Sequence, residues 1–240
     1  MKKEYWWVII VYIAMQFSSL VGLPILIFGF KHFDISQKLA VPVYLIASFS
    51  IALIIILLIL RKEMNTRSLD EKGTSFGYSA MWAVFGVFLA LFAQYVAAII
   101  ESLLGIKMGS ENTQDILKII ETLPLAILVT SIIGPILEEI VFRKIIFGAL
   151  FKRYNFFISA LISSVIFALA HMEPVHILLY SAMGFTFAFL YVRTKRIIVP
   201  IFAHVSMNTM VVLVQSVYKD DIERLRREAE AIQNFIGGFL

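Results

Sequence analysis

Two adjacent glutamates, Glu138 and Glu139, and an arginine four residues on, Arg143, lie in a run otherwise suited to lipid: PLAILVTSIIGPILEEIVFRK, residues 124–144. A charged side chain at the centre of a membrane helix costs about 2.5 to 3.5 kcal/mol on insertion scales, and more on others. Residues kept there against that cost mark a functional site by default. Two later apolar runs carry the other informative polar groups: His171 in FALAH (167–171), and His204 with Asn208 in HVSMN (204–208). On a helix, Glu139 and Arg143 share a face at pairing distance, as do His204 and Asn208. Glu138 is turned about 100° from Glu139 and is left without the arginine.

These groups suit general-base chemistry. A carboxylate in a low-dielectric pocket can take a proton from water, and a neighbouring histidine can share it. A second histidine with an amide can donate to a developing oxyanion. Glu138 and His171 would then activate water, His204 and Asn208 would stabilise the tetrahedral intermediate, and Glu139 with Arg143 would be a structural ion pair. Zinc is the competing reading, since two histidines and a glutamate can ligate it. Against it, His-Glu-x-x-His is absent, HMEPVH (171–176) has another spacing with a proline inside, and Asn208 is a poor ligand. No cofactor is expected. A serine nucleophile lacks its Gly-x-Ser-x-Gly setting, and the aspartates lie in loops or the tail. Glu173 and His176 read as interfacial residues at the outer membrane edge, and Ser181, Gly184 and Ala188 as a small-residue packing face.

The elements that must position these groups are membrane helices. Of the 240 residues 60% are hydrophobic and only 16% charged, with a mean hydropathy of +0.87, against roughly 25% charged in soluble domains. The expected fold is an all-α, polytopic transmembrane helical bundle. Cysteine is absent, which excludes a thiol nucleophile, a disulfide framework and thiolate metal sites. The net charge of +4 reads as topology bias, with no nucleic-acid partner. The N-terminal run continues without a cleavage site and reads as a retained first helix. Apolar runs fall near 5–30, 40–60, 76–100, 120–151, 156–172, 175–192 and 197–217. The long fourth run is expected to bend near Gly134-Pro135 or to split, giving seven or eight segments. The chain reads as one membrane domain, 1–240, with N-terminal helices over 1–118, a catalytic core over 119–217 and an amphipathic helix over 218–240. In that tail Ile222, Leu225, Ala229, Ile232 and Phe235 share a face.

Basic residues cluster at Lys2 and Lys3, at Arg61 to Lys72, at Lys152 and Arg153, and at Arg193 to Arg196, whereas the alternate loops are poor in them. The positive-inside rule therefore puts the N-terminus in the cytoplasm, although the basic tail would lie outside with seven spans. Counted from the cytoplasmic helix ends at ~1.5 Å per residue, Glu138 and His171 lie about 20 Å deep, Asn208 about 18 Å and His204 about 12 Å. Three helices thus bring their polar groups to one layer.

The three motifs, Glu138-Glu139-x-x-x-Arg143, Phe167-x-x-x-His171 and His204-x-x-x-Asn208, resemble those of the CPBP family, the CAAX proteases and bacteriocin-processing enzymes also known as the Abi family. The likeness covers roughly residues 120–215. It implies a bacterial intramembrane endopeptidase with the same division of roles among Glu138, His171, His204 and Asn208, acting without metal on a membrane-associated peptide or protein. The flanking sequence resembles the Gram-positive branch, whose members are linked to maturation of quorum-sensing peptides. It also implies an alternative, a non-proteolytic scaffold that controls a membrane partner such as a sensor kinase or confers bacteriocin immunity. Buried Glu and His would also serve a proton relay in a transporter.

Overall fold

The computed structural model describes residues 1–65, 74–107 and 109–218, and positions 221, 224, 225, 227 and 228. The tail expected to form an amphipathic helix over 218–240 lies largely outside the described residues. Among the described residues the chain is helical, without strands. The elements are α1 (Lys3–His32), α2 (Ala40–Asn65), α3 (Phe76–Leu103), α4 (Glu111–Thr122), α5 (126–150), α6 (Phe156–Ala170), α7 (Ile177–Thr194) and α8 (Ile198–Val217). Ser75, Ser110 and Asn155 begin α3, α4 and α6 by accepting the backbone N–H three residues on, which satisfies an otherwise orphaned donor.

Five of these helices are long and apolar enough to cross a membrane: α1, α2, α3, α7 and α8. Large apolar side chains such as Phe17, Leu20, Phe28, Phe88 and Phe92 are exposed along them, an outward face suited to lipid. The protein is a polytopic helical membrane protein. With α5 and α6 there are seven apolar segments among the described residues. The long fourth run does split, but at Leu123–Leu125, so that its first residues close α4, an amphipathic helix of 12 residues in what the sequence presents as a loop.

Polar contacts sort the helix ends into two faces. On one, Glu63 of α2 accepts from Tyr5 (2.8 Å) and pairs with Lys2 (3.4 Å) and Lys144 (3.2 Å), while Arg196 and the backbone of Thr194 bind Thr74. This is the face where the basic residues cluster. On the other, Glu101 at the end of α3 meets His176 at the start of α7, and Glu173 meets the start of α4.

α5 is not a regular α-helix. It widens into π turns over Val129–Ile133 and Glu139–Phe147, with Gly134–Glu138 α-helical between them. The first straddles the carbonyl of Ser131, which Pro135 would crowd and leave without its donor. The expected bend at Gly134-Pro135 is thus taken up as a wider turn. The second has no proline, but Ser163 of α6 donates to the carbonyl of Phe142 inside it, at 2.7 Å. Such π segments recur at functional sites, and this one carries Glu139 and Arg143.

α6 is the short member, 15 residues or about 22 Å, against a hydrocarbon core of roughly 30 Å. It ends at His171, after which Met172 adopts a left-handed conformation (φ 56°) and the chain turns into α7. α6 and α7 pack closely at the expected small-residue face: a Cβ on Gly184 would lie 3.0 Å from Cβ and 3.1 Å from Cα of Ser164. Gly184→Val should therefore lower stability by about 1–3 kcal/mol, read as a fall in the thermal unfolding midpoint in detergent. Gly29→Ala, where nothing lies within 4 Å, should not.

Candidate active site

The site assembles around a buried ion pair. Glu139 and Arg143 are both 0% exposed, with Arg143 Nε 3.3 Å from Glu139 Oε2. The guanidinium lies between two aromatic faces, 4.4 Å from the Phe167 ring and 5.5 Å from the Phe187 ring. No hydrogen bond reaches its nitrogens among the described residues, so the carboxylate and the two ring faces are what hold the charge away from water. The expectation that these two residues pair on one face is met.

Glu139 has a second partner that helical spacing does not reveal. Its other oxygen, Oε1, lies 2.9 Å from Nδ1 of His204 on α8. The imidazole is stacked on Phe187 (4.5 Å between ring centres, 20° between planes) and touches the edge of Phe167. Its Nε2 faces Glu138 Oε2 at 3.7 Å. A carboxylate accepting from Nδ1 fixes the tautomer and the ring orientation, so Glu139 does more than serve Arg143: it orients His204. Glu138 differs from its neighbour in exposure, with 19% of its side chain accessible. It is the carboxylate of the pair that water can reach.

His171 closes α6. Its Nδ1 is 2.8 Å from the carbonyl of Phe167, which as an acceptor takes the Nδ1–H and leaves Nε2 as the basic nitrogen. The ring meets the edge of Phe167 at 4.5 Å and stacks on Tyr180 at 4.0 Å, with 27° between planes. It lies within electrostatic reach of Glu138, His204 and Arg143. Asn208 lies one turn along α8 from His204 and is partly buried. No hydrogen bond joins it to the other groups among the described residues. Glu138, Glu139, Arg143, His171 and His204 are thus brought together, with Asn208 beside them and not yet engaged.

One further residue belongs to the site. Tyr12 of α1 is buried, packs its ring against Phe142 at 5.7 Å, accepts from Gln16, and lies within electrostatic reach of Glu138 and Arg143. In sequence it is one tyrosine in an apolar first helix, with no motif to mark it.

Glu173 and His176, read as interfacial, lie at one helix-end face and are buried there. Glu173 is 8% and His176 5% exposed. His176 Nδ1 is 2.7 Å from Glu101 Oε2 and its Nε2 is 3.1 Å from the carbonyl of Gly109. Glu173 accepts from Ser110 (2.7 Å), Tyr180 (2.8 Å) and the amide of Glu111 (2.6 Å). Both are covered by the start of α4 and the end of α3. Among the described residues no three His, Asp or Glu side chains are grouped so as to hold a metal ion.

The family described as Type II CAAX prenyl endopeptidase Rce1-like matches residues 120–210, the stretch that holds every motif residue. "Putative membrane peptidase YdiL" of Bacillus subtilis is 49% identical over 243 residues, covering 99% of each chain. "Membrane-embedded CAAX protease MroQ" of Staphylococcus aureus is 36% identical over 232 residues, covering 93% of this chain and 94% of that one. No solved structure is significantly similar.

The burial pattern separates the two glutamates experimentally. Glu139→Ala leaves Arg143 buried without its counter-charge, and should cost about 3–5 kcal/mol, visible as lost folded protein or a lowered thermal midpoint in detergent. Glu138→Gln, at the accessible position, should stay within about 0.5 kcal/mol of the parent.

Proposed function

The chain belongs to the Rce1-like CAAX endopeptidase family, a family of membrane peptide hydrolases, and from that premise we propose a glutamate-dependent hydrolysis centred on Glu138. Water between Glu138 and His171 gives a proton to the carboxylate as its oxygen attacks the scissile carbonyl. The resulting oxyanion takes hydrogen bonds from Nε2–H of His204 and from the amide of Asn208. The proton then passes to the leaving nitrogen as the C–N bond breaks, giving a carboxylic acid and an amine. The observation that carries this reading is the Glu139–His204 contact. With Glu139 accepting from Nδ1, a His204 that carries both ring protons presents the second N–H toward Glu138, beside which an oxyanion would gather charge.

Glu138 takes the proton because it is accessible. Glu139, sealed and already shared between Arg143 and His204, has no free lone pair facing water. The substrate is a membrane-associated peptide or protein, such as the precursor of a small signalling or bacteriocin peptide; the CAAX activity in the name of the staphylococcal relative makes a prenylated C-terminus the first chemistry to try. With the basic face of the bundle in the cytoplasm, the turn after His171 lies toward the outer leaflet.

The test is a purified chain in lipid nanodiscs with an internally quenched farnesylated CAAX peptide and a panel of peptide precursors. Glu138→Gln and His171→Ala should each lower kcat by about 10² or more, with the folded state intact. Wild-type turnover in both variants would put the chemistry on other residues; no turnover by the parent chain, with the cellular phenotype unchanged in both variants, would leave a scaffold acting by binding. Loss of turnover on chelation, restored by zinc, would favour the metal reading.

A further inference from the structure

Beyond the motif residues, we propose that Tyr180 is a positioning residue for His171, held in place by Glu173. This rests on the reading of His171 as the partner of Glu138 in activating water.

The need for such a residue follows from where His171 sits. It caps the end of α6, where the chain leaves the helix through the left-handed Met172. One hydrogen bond, from Nδ1 to the carbonyl of Phe167, fixes a point on the imidazole but not its plane. The plane is set by two rings: the edge-on Phe167 on one side and the face of Tyr180, 4.0 Å away, on the other. Phe167 is in turn committed to the Arg143 guanidinium, so Tyr180 is the element that can specify the direction of Nε2.

Tyr180 is itself tethered. Its hydroxyl donates to Glu173 Oε2 at 2.8 Å, and Ser110 Oγ, 3.0 Å from that hydroxyl, reaches the same carboxylate. Burial alone would raise the Glu173 pKa, but the hydrogen bonds from Ser110, Tyr180 and the Glu111 amide, with His176 close by, hold it below the usual carboxylate range. It is therefore an acceptor throughout the neutral range. Glu173 and Tyr180 lie seven residues apart and Ser110 more than 60 residues before them, and none belongs to a motif.

The experiment reads His171 directly. The chain has four histidines, so histidine-labelled protein in micelles gives few ring resonances, and His171→Gln identifies the one concerned. In Tyr180→Leu the His171 ring protons should move downfield as the stacked ring is lost, and kcat on the farnesylated peptide should fall roughly ten- to a hundredfold, the scale of a misplaced catalytic group, with KM little changed. Tyr180→Phe should restore the resonance position and most of kcat. If Tyr180→Leu does not fold, Glu173→Ala carries the test, the His171 ring protons shifting downfield as the stacking partner loses its tether. An unmoved His171 resonance in all folded variants, or an effect on KM alone, overturns the proposal. Wild-type turnover in His171→Ala would instead overturn the catalytic reading, whatever the resonance does.

Discussion

A guanidinium sealed from water needs a carboxylate beside it, and most of the site follows from that need. Arg143 is buried at the level where α5, α6, α7 and α8 meet, and its ring neighbours Phe167 and Phe187 come from α6 and α7. Removing either charge would strand the other in a low-dielectric interior. Glu139 faces Arg143 with one carboxylate oxygen and accepts from His204 with the other. A single carboxylate thus locks α5 internally and ties it to α8, and Glu138, one residue back, is carried to the rim of the same cluster.

The wide turns of α5 bear on this arrangement. The second encloses both Glu139 and Arg143 and leaves the carbonyl of Phe142 to Ser163 of α6. The helix that carries the charges is therefore fastened to its neighbour through its own backbone as well as through side chains. A helix pinned in this way cannot rotate without breaking a buried hydrogen bond, and the relative heights of Glu138 and His171 are held with it.

Much of this was legible in the sequence, because it depends on spacing within one helix. The pairing of Glu139 with Arg143 needs only a four-residue separation, and the contrast between Glu138 and Glu139 needs only the angle between consecutive side chains. Seven apolar segments follow from hydropathy. What could not be read depends on distance across helices. Glu139 meeting His204, Tyr12 meeting the site from α1, and Glu173 under the start of α4 each join residues more than 60 positions apart. The burial of Glu173 and His176 was missed because a loop at a helix end is ordinarily at the surface. The helix α4 was hidden because its acids and lysine resemble a solvated loop until their amphipathic period is set against Leu117, which is buried.

The length of α6 has a consequence for what can be cut. A helix some 8 Å shorter than the hydrocarbon it stands in places His171 that far inside one face. A peptide crossing the bilayer as a helix keeps its carbonyls in its own hydrogen bonds, and none is free to be attacked. If Glu138 acts as proposed, the end of such a peptide would have to unwind by two or three residues, which in extended form span about 8 Å, before a bond could reach it. Selection would then act on how readily the substrate's terminal turn frays, so that glycine, proline or a β-branched residue just inside the membrane boundary becomes part of the recognition signal without touching the enzyme.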